Sequence, residues 1–294
     1  MKKLQDLTIK DAFMFAAVMS DAEQCKLLLA LILEMDILEV DLVAEKSLSY
    51  HPEYHGVRLD VLAEERGMHR RFNVEMQVKT ETALSKRSRY YHAQMDMDAL
   101  LTGESYDRLP DTYVIFICDF DPFGDQLYRY TARNMIYETN KLLADGNHTI
   151  ILSTKGKNFN DVPIQLVNFL EYVGQDTDNV KIDDAYLRLL QERVKSIKQD
   201  RDWEGRYMLL QEMMSEERMA GRKEGLEIGR QEGLEAGRRE SLDKMNQLII
   251  LLSEQNRKDD IIKAANNKEF QEQLFREFHR SEEHTSELQS HVMI

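Results

Sequence analysis

The amino-acid sequence predicts an α/β protein in which a central mixed sheet is flanked by helices and followed by a C-terminal helical extension. Three observations support this fold class. Segments with helical apolar spacing alternate with short strand-like runs as far as about residue 200. The stretch "TYVIFIC", residues 112–118, is a continuous run of β-branched and aromatic residues, which is typical of a central strand buried on both faces. From residue 201 the composition changes to a charged repeat with periodic glycine.

The elements before the central strand follow from local patterns. Residues 9–19 have helical apolar spacing, and Ser20 followed by Glu23 matches a capping box that would begin a second helix over about 21–35. Residues 40–50 favour a strand, and residues 56–79 favour two more strands joined by a turn. A long helix is then expected over 81–101.

The elements around and after the central strand complete the core. Gly103 ends the long helix, and "DPFG" at 121–124 predicts a turn. Two further strands are expected near 126–131 and 148–154, and a helix is expected near 161–173. The order of helices and strands fits one mixed-sheet domain that ends near residue 200.

The remainder of the chain is predicted to be helical. We divide the sequence into a core domain at 1–200, a glycine-repeat helical connector at 201–245 and a small helical segment at 246–279. Residues 280–294 break every preceding pattern, resemble the translated read-through of a sequencing adapter, and are left out of the fold prediction.

Glycine recurs every four residues in the connector, from Gly221 to Gly237. Each glycine opposes helix formation by roughly 1 kcal/mol relative to alanine. The repeat is therefore either a solvated connector or a flat stripe through which two chains associate as a homo-oligomer.

Composition narrows the functional classes. A formal net charge of −14 argues against a broad non-specific grip on nucleic acid, but it allows a local basic patch or an acidic metal-binding cleft. The two cysteines, Cys25 and Cys118, are typical of buried core thiols and indicate a reducing compartment. No signal-peptide pattern is visible, and the longest apolar run, at 27–33, is too short to span a membrane. We therefore expect a soluble cytoplasmic protein.

The segment 56–79 carries acidic residues in the middle of a predicted hairpin. If Gly67 and Met68 are the central residues of a type II′ turn, Asp60 faces Glu75 across the two strands. In the same register, Glu64 pairs with Arg71 and Arg58 with Gln77. The polar face then carries Asp60, Leu62, Glu64, Arg71, Asn73, Glu75, Gln77 and Lys79. The opposite, apolar face carries Leu59, Val61, Ala63, Phe72, Val74, Met76 and Val78.

Two interpretations of the polar face remain open at this point. It can meet water, as one face of many antiparallel hairpins does. Alternatively, it can bind a divalent cation between Asp60 and Glu75, because two opposed carboxylates destabilise a strand pair unless something neutralises them.

Several motifs in order resemble a known nuclease family. Asp60 followed by "EMQ" (75–77) on the adjacent strand resembles the PD-(D/E)XK nuclease core. More closely, the chain is similar to the Rpn family of recombination-promoting nucleases, also described as transposases of that superfamily. The similarity lies in "DLTIKDAFMFAAVMSD", "RLDVLAEE", "FNVEMQ" and "RSRYYHAQMDMDALLTGESYDRLPDTYVIFICDFDPFG", and it covers nearly all of residues 1–279.

The resemblance implies a restriction-endonuclease-like three-layer core and a metal-dependent DNA endonuclease linked to recombination or mobile elements. Asp60 and Glu75 would ligate Mg²⁺, or Ca²⁺ or Mn²⁺ in its place. The backbone carbonyl of Met76 would be a third ligand, and Asp11 is a further candidate. The alternative role for Asp11 is that of an acid at a helix N-terminus, where negative charge is favourable.

Gln77 is a departure from the superfamily, which usually carries a lysine at that position. Either Gln77 alone orients the attacking water, or Lys79 assists it from the same strand face, about 7 Å further along. On the helix at 81–101, the candidate DNA contacts are Arg87, Arg89, Tyr91 and Gln94. The alternative for the tyrosines is an ordinary place in the core of an amphipathic helix.

The glutamine and the acidic charge also favour a second interpretation of the whole protein. The domain would then be a catalytically degenerate nuclease fold that acts as a binding or oligomeric assembly module, with the glycine repeat as its interface.

Overall fold

A computed structural model describes residues 2–43, 47–48, 57–58, 60–80, 83–175 and 183–278. The predictions made for Leu59, for the side chain of Arg58 and for residues 280–294 lie outside the described residues. The chain divides into two compact units, Met1–Leu210 and Gln211–Ile294.

The first unit contains a six-stranded sheet with helices on both faces. Its helices are α1 (Ala12–Met19), α2 (Ala22–Leu33), α3 (Leu84–Ala99), α4 (Ile164–Gly174), α5 (Ala185–Gln199) and the beginning of α6 (Arg201–Glu254). Its strands are β1 (Val40–Val43), β2 (Ser47–Leu48), β3 (Val57–Arg58), β4 (Val61–Glu65), β5 (Arg70–Gln77), β6 (Asp111–Cys118), β7 (Arg129–Ala132), β8 (Met135–Ile136), β9 (Lys141–Leu142) and β10 (Asn147–Ser153). The main sheet has the order β1-β4-β5-β6-β10-β7, while β2 pairs with β3 and β8 with β9.

The sheet is mixed, as the sequence predicted. Strands β5, β6 and β10 run parallel to one another, whereas β1, β4 and β7 join antiparallel to their neighbours. The strand predicted at 112–118 is confirmed as central, because β6 lies between β5 and β10 and every residue from Thr112 to Cys118 is buried. The carboxyl ends of the three parallel strands meet at one edge, where Cys118 aligns with both Gln77 and Ser153.

The first unit has three layers, helices, sheet and helix, with a hydrophobic core on each face of the sheet. The larger core joins one face of the sheet to α1, α2, α4 and α5. The smaller core joins the opposite face to α3, through Leu84, Tyr91 and Met95 against Leu62, Val114 and Phe116. The predicted three-layer architecture is therefore confirmed.

The hairpin of β4 and β5 has the predicted register from Val61 to Arg70, but the predicted Arg58–Gln77 pair is not part of its ladder, because Arg58 pairs with Ser47 of β2. Glu64 pairs with Arg71, Val61 with Val74, and the two side chains of the first pair form a 2.6 Å ion pair. The predicted two-residue turn is wrong, because the last ladder pair is Glu65 with Arg70 and residues 66–69 form a longer loop. Gly67, with a φ of +80°, adopts the left-handed conformation that the loop requires.

The two hairpin faces also differ as predicted, but one is not exposed. Val61, Ala63, Phe72, Val74 and Met76 all lie in the larger core, which confirms the apolar face. The interpretation that the polar face meets water is wrong at Asn73 and Glu75, which are 0% and 2% exposed. Helix α3 covers this face, so its polar side chains need protein partners.

Other sequence predictions need smaller corrections. The side chain of Asp21, rather than Ser20, caps α2 by accepting the backbone N–H groups of Glu23 and Gln24. Ser20 ends α1 instead, and its hydroxyl donates to the carbonyl of Ala17. Strand β1 ends at Val43, and both α5 and the short β8–β9 pair were missed.

The second unit consists of the remainder of α6, α7 (Lys258–Asn266) and a helix at 268–278, which we call α8. Leu248, Leu252, Ala264 and Leu274 form its small core. A Cβ added at any of the five repeat glycines of α6 would meet nothing within 4 Å. Among the described residues, no helix combines the length and the apolar character needed to cross a membrane.

Candidate active site

Asp60 and Glu75 lie side by side where β4 begins and β5 approaches its end. The backbone N–H of Asp60 lies 3.3 Å from Oε1 of Glu75, and Oδ2 of Asp60 accepts the backbone N–H of Met76 at 3.2 Å. Since Val61 and Val74 form the first ladder pair, Asp60 stands one position before the ladder, opposite Glu75. The structure therefore brings together the two acids that the hairpin register predicted.

Glu75 is buried beneath α3, and its carboxylate accepts five long hydrogen bonds. Its Oε1 accepts the side-chain amide of Asn73 at 3.3 Å in addition to the Asp60 N–H. Its Oε2 accepts Gln77 at 3.4 Å, Tyr91 at 3.4 Å and Arg87 at 3.1 Å. Every one of these contacts is longer than the roughly 2.7–2.9 Å of strong charge-assisted hydrogen bonds.

Burial and the neighbouring acid make the ionised form of Glu75 costly. Desolvation first, and then the charge of Asp60, raise the pKa of Glu75 from 4.5 to about 7. The hydrogen bonds from the Asp60 backbone and Asn73, and the charge of Arg87, act in the opposite direction. Two carboxylates that disfavour each other's charge form a site that an added cation stabilises.

The backbone carbonyl of Met76 points to the same side of β5 as Asp60. In a strand the N–H and C=O of one residue point to the same side, and successive residues alternate. The N–H of Met76 reaches Asp60, whereas the carbonyl of the next residue, Gln77, accepts the N–H of Asp119 on the β6 side. The Met76 carbonyl thus faces the region that the two acids border.

Arg87 joins α3 to the end of β5. Its guanidinium donates to Oε1 of Gln77 at 2.9 Å and to Oε2 of Glu75 at 3.1 Å. The hydroxyl of Tyr91 accepts from the same guanidinium at 2.7 Å, and the rings of Tyr91 and Phe116 lie 5.4 and 5.6 Å from its central carbon. Arg87, Tyr91 and Gln77 therefore form one connected group around Glu75.

A buried polar network fixes α3 on the sheet. The two ring nitrogens of His92 lie 2.7 Å from the Thr112 hydroxyl and 3.1 Å from the Thr149 hydroxyl, and Ser88 also bonds to Thr149. Nearly two turns further along α3, Asp98 forms a 3.0 Å ion pair with Arg71 of β5. Because these contacts join α3 to three strands, they fix the position of the helix over the sheet and therefore where Arg87 and Tyr91 contact Glu75.

Four other predicted site residues lie outside this cluster. Lys79 is exposed, two residues after β5 ends, and Arg89 is exposed on α3. Gln94 is half-buried on α3, one turn beyond Tyr91. Asp11 lies at the N-terminus of α1, where it accepts the backbone N–H of Thr8 at 2.8 Å and pairs with Lys2 at 3.0 Å.

Sequence reasoning gave no role to Asn73 or Phe116, although both contact the site. Asn73 faces the same way as Glu75 because the two are separated by one residue in a strand, and that spacing was a usable signal. The position of Phe116 under Arg87 depends on the alignment of β6 with β5, where Phe116 pairs with Glu75. No local pattern reveals that alignment.

The donors at the site fit a hard divalent cation that completes its coordination with water or substrate. Mg²⁺ is commonly held by one or two carboxylates together with such ligands. Asp60 and Glu75 supply two carboxylates, and the Met76 carbonyl supplies a neutral oxygen on the same side. The described residues contain no group of three or more acidic, histidine or cysteine side chains placed to hold a metal. At such a cation the protein would thus contribute two acids and a main-chain oxygen.

A comparison with protein families agrees with this geometry. A family model described as PD-(D/E)XK nuclease family transposase matches residues 10–193, more than half of the 294 residues. The matched segment contains the whole cluster around Glu75 and ends before α6 begins. No curated protein and no solved structure matches the chain significantly.

Proposed function

This chain belongs to the PD-(D/E)XK nuclease family transposases, and from that membership we propose that it is a metal-dependent DNA endonuclease that hydrolyses phosphodiester bonds. Family membership supports a nuclease role linked to mobile elements. The observation that carries the finer proposal is the position of Asp60 against the buried Glu75 at the end of the hairpin, where the Asp60 N–H lies 3.3 Å from Oε1 of Glu75. Burial, and then the charge of Asp60, raise the pKa of Glu75 to about 7.

Asp60, Glu75 and the Met76 carbonyl are the proposed ligands of Mg²⁺, with Ca²⁺ or Mn²⁺ as substitutes. A bound cation supplies charge neutralisation at the scissile phosphate and makes a bound water more acidic. Asp11 remains a candidate for an outer contact, through the N-terminus of α1.

The residues around the acids have proposed roles in water and DNA binding. Gln77 orients the attacking water by hydrogen bonds, since a neutral amide both donates and accepts. Lys79 lies nearby on the exposed continuation of β5 and is proposed to assist it. Arg87, Arg89 and Gln94 are the proposed DNA contacts of α3. Tyr91 was also a candidate, but it is 7% exposed and lies in the smaller core, so its proposed role is to hold Arg87 through its hydroxyl.

A nicking assay on supercoiled plasmid DNA with Mg²⁺ tests the proposal. Wild type should convert the plasmid to open-circular DNA, and Asp60→Ala should not. Asp125→Ala is a matched control, because Asp125 is an exposed acid in a turn. Thermal unfolding with and without Mg²⁺ gives a second measurement, in which Asp60→Ala should lose the stabilisation by the cation. Equal cleavage by wild type and Asp60→Ala would overturn the assignment.

A second proposal is that the domain is a degenerate nuclease fold that serves binding or assembly. It is favoured by Gln77 in place of the usual lysine and by the open glycine face of α6, where added Cβ atoms meet nothing within 4 Å. Self-association should then weaken in the double variant Gly229→Leu and Gly233→Leu, because bulky side chains prevent close helix approach. A molar mass by light scattering that equals the wild-type value would contradict the assembly claim.

We also propose a cytoplasmic location. Cys25 and Cys118 are both buried free thiols, and burial raises the pKa of each to about 12. Such thiols are unreactive and are compatible with a reducing compartment.

A further inference from the structure

We propose that Arg87 supplies, from α3, the positive charge that acts on the scissile phosphate, and that it does so at the tip of the uncharged Gln77 side chain. The inference rests on the proposed nuclease function and assigns the cationic group of that same site. Asp60, Glu75 and a DNA phosphate all carry negative charge, so hydrolysis requires a positive group placed where charge develops. Gln77 cannot provide one.

The guanidinium of Arg87 occupies the required place. It lies 2.9 Å from Oε1 of Gln77, so a cationic nitrogen stands just beyond the end of the amide. A guanidinium only donates hydrogen bonds, which orients the Gln77 oxygen towards Arg87 and its nitrogen towards Glu75. Arg87 therefore sets the direction in which Gln77 can donate to water.

The charge is held in position before any substrate arrives. The Arg87 side chain is 27% exposed, and its guanidinium packs against the rings of Tyr91 and Phe116. The Tyr91 hydroxyl accepts from two of its nitrogens, at 2.7 and 3.3 Å. A preorganised cation loses little freedom when it meets the developing charge, which is the main source of electrostatic catalysis.

Arg87 makes one contact with the amide of Gln77 and one with the carboxylate of Glu75, and the two contacts differ in length. Its bond to Gln77 is 2.9 Å, whereas its contact with Glu75 is 3.1 Å, long for a charged pair. The nitrogen facing Glu75 also donates to the Tyr91 hydroxyl at 2.7 Å. We therefore expect only its contact with Glu75 to be exchanged for a phosphate oxygen when DNA binds, while the bonds to Tyr91 and Gln77 persist. Arginine suits this division because its guanidinium presents several donors in one plane.

The other basic residues near the site lack this placement. Lys79 and Arg89 are both exposed to solvent. Within the part of the chain that the structure describes, Arg87 is the one basic side chain that bonds to Glu75 and to Gln77. The missing lysine is thus replaced across the layer interface, from α3, rather than along β5.

A charge-relocation experiment tests the inference. Single-turnover cleavage of plasmid DNA at saturating Mg²⁺ is measured for wild type, Arg87→Gln, Gln77→Lys and the double variant Arg87→Gln with Gln77→Lys. We expect Arg87→Gln to lower the rate by about 10²–10³-fold, the range for loss of one oxyanion donor. The double variant should recover at least about tenfold of that loss, because a lysine at position 77 returns a cation to the same place.

Two further variants sharpen the result. Lys86→Gln removes an exposed cation from the preceding position of α3 and should leave the rate within about twofold of wild type, since a surface charge away from the site acts weakly. Lys79→Gln tests whether Lys79 supplies the positive charge instead. If this variant lowers the cleavage rate as much as Arg87→Gln or more, the role belongs to Lys79 and the inference is wrong. Thermal unfolding of every variant reports whether the fold is intact. If Arg87→Gln unfolds, Arg87→Met replaces it, because methionine also lacks the charge and can keep the contacts with the rings of Tyr91 and Phe116.

The outcomes separate this inference from the function on which it rests. If wild type and Asp60→Ala cleave equally, the proposed endonuclease is wrong. If wild type cleaves, Asp60→Ala does not, and Arg87→Gln resembles wild type, only the role of Arg87 is wrong. A purely structural role would lower the rate in Arg87→Gln without recovery by Gln77→Lys, and that result would also overturn the inference.

Discussion

The buried imidazole of His92 should make the stability of the first unit depend on pH. His92 is 7% exposed, and its ring lies between the hydroxyls of Thr112 and Thr149. Desolvation, with a smaller contribution from the charge of His148, lowers the pKa of His92 from 6.5 to about 4, while Asp145 acts weakly in the opposite direction. In the folded protein the ring therefore stays neutral at a pH at which the unfolded chain binds a proton.

The sign and size of the effect follow from this difference. Because the folded-state pKa is depressed, the contribution of His92 to stability is complete above about pH 6.5 and is lost as the pH falls towards 4. Each pH unit between the two values corresponds to about 1.4 kcal/mol, so the interval from 6.5 to about 4 amounts to roughly 3 kcal/mol. Acidification should therefore loosen the attachment of α3 to β6 and β10.

Urea unfolding at several pH values between 7.5 and 4 measures this contribution in wild type, in His92→Gln and in His69→Asn. The window follows from the two pKa values of His92. Carboxylates also titrate in it, so the decisive quantity is the difference between wild type and variant. His92→Gln should lose roughly 3 kcal/mol less than wild type over the window. His69 is exposed, with a φ of +48° that asparagine tolerates, and His69→Asn should follow wild type. Parallel curves for wild type and His92→Gln would refute the reasoning.

Two other predictions concern α6. Trp203 is the single tryptophan, and its ring contacts Phe13 of α1 at 6.0 Å, so Phe13→Ala should shift its fluorescence emission to longer wavelength, and an unchanged spectrum would show that α1 does not shield the indole. In the repeat, Gly229→Ala and Gly233→Ala should each stabilise the helix by about 1 kcal/mol, seen as a higher melting temperature by circular dichroism at 222 nm, because an added Cβ meets nothing within 4 Å and alanine is the better helix former. A lower melting temperature would mean that the glycines serve a contact that alanine disturbs.

The sheet and the pairing of the two acids could be predicted because strand geometry is local. Side chains alternate with a period of two, and an apolar face from Val61 to Val74 permits one register only, since a slip of one residue would bury the charged face in the larger core. The predicted register is correct although the predicted turn type is wrong. A four-residue loop at 66–69 and a two-residue turn at Gly67 and Met68 place the same residues opposite each other.

Short elements and caps were harder to predict, for local reasons. Strands β8 and β9 have two residues each, too few for any periodicity. Ser20 and Asp21 are both good capping residues, and only the structure shows that the Asp21 carboxylate reaches the free N–H groups. Helix α5 did carry a signal, since Leu187, Leu190, Val194 and Ile197 follow helical spacing and are all buried.

The burial of Glu75 could not be predicted, because α3 does not look like a covering helix. Its buried residues include Ser88 and His92 as well as Tyr91, so the apolar stripe that marks a core-facing helix is interrupted. The interruption has a cause in the sheet. Thr112, Thr149 and Glu75 are polar groups on the face that α3 covers, and each needs a partner from the helix. A polar face on a strand and a polar stripe on the following helix therefore indicate, when they are considered together, that the helix covers that face of the strand.

The same coupling explains why the sequence offered only Lys79 as a possible cationic helper of Gln77, whereas the proposal made from the structure rests on Arg87. Reasoning along one strand can propose only residues of matching parity, and Lys79 is the next basic residue of that kind. Strand β5, however, ends at Gln77, and Lys79 is exposed beyond it. The chain then reverses into α3, which lies back over β5 and delivers Arg87 to the Gln77 amide at 2.9 Å. A charged side chain that comes from a helix in another layer does not depend on which face of the strand each residue occupies. A neutral residue at position 77 is therefore compatible with an intact cationic site.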